Sequence, residues 1–118
     1  MKQFLMLIRT EGDHLEELSV DEQKNHVQKV GGYIGKLMQG GRLKYAQPLE
    51  MEGTIITSTK GKLKDGPFNE TKEVIAGYFL IEANDLQEAI AIAKQNPVLE
   101  NEKARIEIRP IKTMEGIN

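Results

Sequence analysis

Two side chains, His26 and Asp65, have the types that could carry out acid–base chemistry in this chain of 118 residues. An imidazole titrates near neutral pH and can act as a general base. A carboxylate can orient that imidazole and stabilise its charge. A helix would place His26 at the edge of an apolar stripe with three neighbours, Val30, Tyr33 and Leu37. These positions predict a small-molecule cleft in which His26 is the base and Asp65 its orienting partner.

Each of these residues also has a purely structural interpretation. His26 could pair on the helix surface with Glu22, one turn earlier. Asp65 could bond the backbone two residues on, in a turn that has a positive φ at Gly66. The other histidine, His14, stands among acidic residues without a patterned neighbour, and we interpret it as a surface residue.

Further polar side chains follow Asp65 along the chain. Glu70 and Lys72 are two residues apart, so an extended segment would place both on one face. On that face Lys72 could contact an anionic group of a ligand. Tyr78 has a hydroxyl that needs a partner if the ring is buried, and we predict that it contacts the ligand as well.

The surrounding pattern predicts one domain over residues 1–118 with helices and strands in a fixed order. Ser19 and Glu22 form a capping-box pattern before a helix that extends to residue 39, and Asp85 precedes a second helix. Strands are predicted over 3–9, 42–46, 53–59, 74–81 and 104–110, and the tail over 112–118 is predicted to be loose. The order is that of an α+β, ferredoxin-like split βαβ sheet with both helices on one face.

Glycines interrupt two of these elements. Gly31, Gly32 and Gly35 lie inside the first helix, where they indicate either a close backbone neighbour or a kink, or else room for a ligand. Gly77 lies inside the strand over 74–81 and indicates a bulge or a close approach.

Composition excludes several classes of function. The net charge is −2, from 16 basic and 18 acidic residues, which argues against a nucleic-acid partner. The chain has no cysteine, and its two histidines lack metal-ligand spacing, so we predict no metal and no other cofactor. Five apolar residues near the start are too few for a signal peptide or a membrane span. We therefore expect a soluble cytoplasmic protein without a membrane partner.

The segment over 65–79, DGPFNETKEVIAGYF, resembles the signature of the DGPF branch of the YCII-related family. The first residues, MKQFL, are similar to the opening strand of that family, and EIRPI over 107–111 is similar to its closing strand. The resemblance implies a dimeric α+β barrel, a homodimer in which two ferredoxin-like units pack through their sheet faces. A second copy would also cover the apolar side chains that the bare sheet face exposes.

What the resemblance implies about function is less specific. Relatives suggest a pocket with a histidine and an aspartate, and His26 is similar to the histidine on this helix. Some members are dehydrochlorinases of small aromatic compounds, and others accompany alternative sigma factors. Relatives often carry pocket aromatics, frequently tryptophan, further along this helix, where this chain departs from them with Val30 and Tyr33. The departure implies a more open pocket or a smaller ligand, and we predict that Tyr33 contacts that ligand.

Three hypotheses remain open at this point. The first is a lyase or hydrolase-like enzyme that uses the His26 and Asp65 pair on a small molecule. The alternative is a non-catalytic ligand-binding or regulatory dimer, linked to sigma-factor-dependent transcription. The third is a structural dimer in which the segment around Asp65 only shapes a turn.

Overall fold

Two helices pack on one face of a four-stranded antiparallel sheet in the computed structural model of the chain, which describes residues 1–67 and 73–118. The elements follow one another as β1 (Lys2–Glu11), α1 (Val20–Gln39), β2 (Leu43–Pro48), β3 (Thr54–Thr59), β4 (Lys62–Pro67), β5 (Glu73–Ala83), α2 (Leu86–Lys94), a 3₁₀ helix (Pro97–Glu100) and β6 (Ala104–Pro110). The sheet order is β2-β5-β1-β6. This is the ferredoxin-like order, and β3 and β4 form a separate hairpin between β2 and β5. The predicted fold class is confirmed.

Period-two alternation in β1 decides which face of the sheet carries the core. Phe4, Met6 and Ile8 point towards the helices and are buried, whereas Leu5 and Leu7 point to the opposite face and are only half-buried. Side chains from β5 and α2 complete the core, among them Ile81, Ala83, Ala89 and Ala93. The helices therefore cover one face of the sheet and leave the other bare.

The ends of α1 are set by local signals. The Ser19 hydroxyl accepts a hydrogen bond from the Glu22 N–H at 3.1 Å, and the Glu22 carboxylate accepts one from the Ser19 N–H at 3.1 Å. This is the predicted capping box. The helix ends before Gly40 and Gly41, and Gly41 has a φ of 69°.

Of the glycines singled out in the sequence, Gly77 behaves as predicted and those of α1 do not pack closely. The register of β1 against β5 shifts at Ile8, opposite Gly77, and a Cβ at Gly77 would lie 3.0 Å from the Gln47 carbonyl oxygen. A Cβ at Gly31 or Gly35 would meet no described atom within 4 Å. A close backbone neighbour within residues 1–67 and 73–118 therefore does not account for the glycines in α1.

The predicted turn at residues 65–67 is wrong. Asp65 and Gly66 lie in β4, opposite Ile56 and Ile55, and Gly66 lacks a positive φ. The chain reverses at Lys60 and Gly61, where the sequence also indicates a turn, and their φ angles are 51° and 80°. Positive φ at both central residues is typical of a type I′ hairpin turn, whose twist matches that of the strands. Asp65 is therefore a strand residue of a projecting hairpin.

Candidate functional site

One end of the sheet brings together the loop after β1, the start of α1, the end of β2 and the start of β5. Because β5 is antiparallel to β1 and to β2, the last residues of β1 and β2 lie beside the first residues of β5. His26 lies in the second turn of α1, near this end. A ligand bound at this end would therefore lie between two strands, one helix and one loop.

Hydrogen bonds from distant residues hold that loop in place. Asp13 Oδ1 accepts from the Leu15 N–H at 2.9 Å, and Asn101 Nδ2 donates to the His14 carbonyl oxygen at 2.8 Å. Gln23 Nε2, from α1, donates to the Leu15 carbonyl oxygen at 3.0 Å. These bonds hold the backbone of the loop at His14 and Leu15, next to the start of α1.

The two histidines of the chain meet at this end. Their ring centroids are 5.9 Å apart and the rings are inclined at 82°, an edge-to-face arrangement. Both residues are half-buried. Burial lowers the pKa of His14 below its ordinary value of 6.5, repulsion from His26 lowers it further, and Asp13 partly opposes both effects. His14 is therefore mainly neutral near pH 7 and has one ring nitrogen free to accept a hydrogen bond.

An apolar cavity of about 380 Å³ opens beside the two imidazoles. Its walls come from α1, β1, β2, β5 and the 3₁₀ helix, and the lining side chains are mostly aliphatic or aromatic: Ile8, Leu15, Val27, Val30, Ile34, Phe79 and Val98. The polar lining residues are His14, His26, Gln47 and Asn96. An apolar cavity with a few polar groups is the usual form of a small-molecule site.

The two imidazoles are the polar groups of the cavity that lie between it and a second, outer cleft, whereas Asn96 is already hydrogen-bonded within the chain. Asn96 is 3% exposed, and its Oδ1 already accepts from the Val98 N–H at 3.0 Å. On the outer side of the imidazoles, a more polar cleft of about 540 Å³ is bordered by Glu17, Glu22 and Lys29 among others. His14 and His26 thus separate an apolar cavity from a charged cleft, and they are the polar groups best placed to meet a ligand.

The structure does not join the predicted pair of His26 and Asp65 within the part of one chain that it describes. Asp65 is exposed on the hairpin and lines neither cavity next to His26. The ring neighbour of His26 is His14, and the Glu22 carboxylate, its alternative partner, is taken up by the helix cap. A role of Asp65 at this site therefore remains a prediction.

The predicted ligand contacts are dispersed. Tyr33 is buried in the core, where its hydroxyl donates to the Ile92 carbonyl oxygen at 2.7 Å and its ring packs on Phe79 with 5.8 Å between centroids. Burial strongly raises the pKa of the Tyr33 hydroxyl. Tyr78 is half-buried on the bare face of the sheet, opposite Leu7. Glu70 and Lys72 lie outside the described residues.

His14 is the site residue that the sequence analysis missed. Its position depends on a hydrogen bond from Asn101, 87 residues away, so no local pattern reveals it. Within the described residues, no group of three or more His, Cys, Asp or Glu side chains is arranged to hold a metal ion. No helix in that part of the chain is long and apolar enough to cross a membrane.

Comparison with known proteins agrees with this architecture. No curated protein sequence matches the chain. Among solved structures, it is similar to 5-chloro-2-hydroxyhydroquinone dehydrochlorinase (TftG) from Burkholderia phenoliruptrix AC1100 in complex with 2,5-dihydroxybenzoquinone, with a TM-score of 0.55 and 15% sequence identity over 96% of each chain. At this identity the likeness shows the fold. The model of the YCII-related domain matches residues 3–115, and the chain belongs to the YCII-related family.

Proposed function

We propose that this protein binds a small ring compound with oxygen substituents in the cavity beside His14 and His26, and that His26 acts on it as a general base. The observation that carries the proposal is the edge-to-face imidazole pair at an apolar cavity of about 380 Å³. The apolar walls would bind the ring of the ligand, and the imidazoles would bind its oxygen substituents.

The electrostatics of the pair suit proton abstraction from a hydroxyl group. Because the lowered pKa of His14 keeps that ring neutral near pH 7, His26 does not face a fixed positive charge when it accepts a proton. The apolar walls lower the local polarity on one side of the base, which strengthens its interaction with an anionic product. The structurally similar dehydrochlorinase, whose solved complex contains a hydroxylated quinone ring, supports this choice of ligand. The reaction class would be that of a lyase or hydrolase-like enzyme.

A non-catalytic ligand-binding protein is the second candidate, and one observation favours it. In the described part of the chain, no carboxylate is hydrogen-bonded to either imidazole, so no group orients His26 as a catalytic base is usually oriented. On this alternative the same cavity binds the same class of molecule and releases it unchanged.

We also propose that the bare face of the sheet is covered by a second copy of the chain. The face carries the half-buried side chains of Leu5, Leu7, Tyr78 and Leu80, and the exposed ring of Tyr45. Beside them, Arg9 pairs with Glu107 at 3.3 Å, and charged residues continue along β6. An apolar centre beside a charged margin is typical of an interface between identical subunits.

The ligand proposal is tested by calorimetric titration with 2,5-dihydroxybenzoquinone. We expect saturable binding, and an affinity at least about tenfold lower for His26→Gln, about 1.4 kcal/mol, because a polar anchor is lost from an apolar cavity. The control is Lys36→Gln, an exposed residue of α1 that lines neither cavity beside the imidazoles. Equal affinities of His26→Gln and the wild type would refute the site.

Catalysis needs a separate assay, in which 5-chloro-2-hydroxyhydroquinone is supplied and free chloride is measured. We expect chloride release by the wild type and none above background by His26→Gln. Binding with no chloride release from this and related chlorinated ring compounds would refute the enzyme and favour the ligand-binding alternative.

A further inference from the structure

The β3–β4 hairpin, Thr54–Pro67, is an arm whose described side chains are almost entirely exposed. Ile56 is 67% exposed and Leu63 is 79% exposed. A two-stranded hairpin without a third strand or a packed face is only marginally stable in water. The radius of gyration is 16.3 Å, against about 13.5 Å expected for a compact chain of this length. The arm therefore has the exposure of a segment that packs against something outside its own chain.

The two faces of the arm differ in chemistry. Ile56 lies opposite Asp65 and Ser58 opposite Leu63, and residues that oppose each other across an antiparallel pair share a face. This face therefore carries the apolar side chains of Ile56 and Leu63 beside the Ser58 hydroxyl and the carboxylate of Asp65. The other face carries Lys62 and Lys64, and Lys60 stands at the tip.

A segment of opposite charge lies at the same end of the sheet. The stretch from Glu11 to Glu22 has six acidic residues and no lysine or arginine, and it contains residues that border the imidazole pair. The arm begins at this end too, because Pro48 and Gly77, which flank it in β2 and β5, line the apolar cavity. We call the residues from Glu11 to Glu22 the acidic rim.

Within the described residues of one chain, no ion pair joins the arm to the acidic rim. The ion pairs of the rim in the described residues are Glu17 with Lys103 at 3.1 Å and Glu11 with Arg105 at 3.9 Å, and neither involves the arm. The molecule measures 47 × 44 × 18 Å. A thickness of 18 Å leaves room for about one helix layer and one sheet layer. The arm therefore extends beside these layers and does not lie over its own cavity.

We propose that the arm of one copy docks on the acidic rim of a second copy and closes the mouth of that copy's cavity. Lys60 at the tip would reach the rim, and the face that carries Ile56 and Leu63 would cover the apolar opening. Asp65, on the same face, would then enter the partner's site, which is incomplete in a single chain. The exchange is reciprocal, so two arms close a two-fold dimer. The function of the completed site rests on the proposal of the preceding subsection, but the docking of the arm does not.

Cross-linking tests the docking directly, because the chain has no cysteine of its own. Leu63→Cys in one tagged copy is co-expressed with Val27→Cys in an untagged copy, and disulfide formation is followed on non-reducing gels. Val27 lines the cavity and is 65% exposed. The matched control is Met38→Cys, which is 64% exposed on the same helix but lies about 16 Å further along its axis.

We expect the disulfide between Leu63→Cys of one copy and Val27→Cys of the other to form roughly a hundredfold faster than the disulfide between Leu63→Cys and Met38→Cys. The reason is that docking raises the effective concentration from about 10 µM in solution to about 1 mM. Lys60→Glu at the tip of the arm, or added salt, should slow the reaction towards the control rate. Equal rates at positions 27 and 38 would overturn the proposal. The proposal would also be overturned if the double variant, Leu63→Cys with Val27→Cys, formed its disulfide only within one chain. The arm would then close over its own cavity.

The outcome is independent of any ligand. Fast cross-linking together with absent ligand binding would keep the arm and reject the proposed function. Ligand binding together with slow cross-linking would keep the proposed function and reject the docking of the arm.

Discussion

Gly31 provides the most informative single substitution, because it lies inside α1 and also lines the apolar cavity. Glycine in a helix interior costs about 1 kcal/mol relative to alanine. A Cβ at this position meets no described atom within 4 Å, so Gly31→Ala should recover that free energy without a clash. The unfolding entropy of a chain of 118 residues is about 0.25 kcal/mol/K. The expected rise in Tm is therefore about 4 °C.

The assay is thermal and urea unfolding of Gly31→Ala beside Gly35→Ala, its matched control. Gly35 has equally open surroundings but does not line the cavity. Both variants should gain about 1 kcal/mol in the free energy of unfolding. Ligand affinity is compared in a second pair with a larger side chain, Gly31→Leu and Gly35→Leu. Only Gly31→Leu should lower the affinity for the ligand. A destabilised Gly31→Ala would refute this reasoning and show that the backbone of another chain packs at Gly31.

Three further predictions concern side chains with defined hydrogen bonds or a shifted pKa. Ser19→Ala should lower the free energy of unfolding by about 1 kcal/mol in urea titration, since it removes the N-cap of α1. Tyr33→Phe should cost about 1 kcal/mol in the same assay, because the Ile92 carbonyl oxygen loses its side-chain donor. The folded pKa of His14 lies below 6.5, so the unfolded state binds more protons and stability should fall as the pH falls from 7 to 5. This part of the pH dependence should disappear in His14→Gln, and an unchanged profile would show that His14 is not buried as described.

Much of the fold could be predicted because its signals are local. The alternation of Phe4, Met6 and Ile8 predicts both the strand and its buried face, and Ser19 with Glu22 predicts the start of α1. The second helix begins where Asp85 caps it, and its Oδ1 accepts from the Glu88 N–H at 2.8 Å. Such patterns act over a few residues, so the order of elements, and with it the ferredoxin-like sheet, follows from the sequence.

The β4 strand could not be predicted in the same way. Aspartate, glycine and proline are poor strand formers, so Asp65, Gly66 and the following proline resemble a turn. The strand exists because it pairs with β3, from Thr54 opposite the proline to Thr59 opposite Lys62, across a two-residue turn. Neither strand of the hairpin has a buried face, and the alternation that marks a half-buried strand is therefore absent.

The candidate site was predicted only in part, for a similar reason. The apolar stripe of α1 places His26 beside a cavity, since Val30 and Ile34 line its wall. The contact of His26 with His14 depends on a loop that Asn101 holds from 87 residues away. Long-range hydrogen bonds of this kind leave no periodic trace in the sequence. The relation between His26 and Asp65 is also long-range, and it stays a prediction that the arm experiment tests.

The most direct test of the central claim is an NMR spectrum of the imidazole side chains during titration with 2,5-dihydroxybenzoquinone and other small hydroxylated ring compounds. The chain has two histidines, so a long-range ¹H–¹⁵N spectrum contains two imidazole rings and needs little assignment. If the cavity beside His14 and His26 is the ligand site, the signals of both rings should shift together and saturate at one ligand concentration. Saturable binding that leaves both rings unshifted, or a panel in which no compound shifts either ring, would contradict the account.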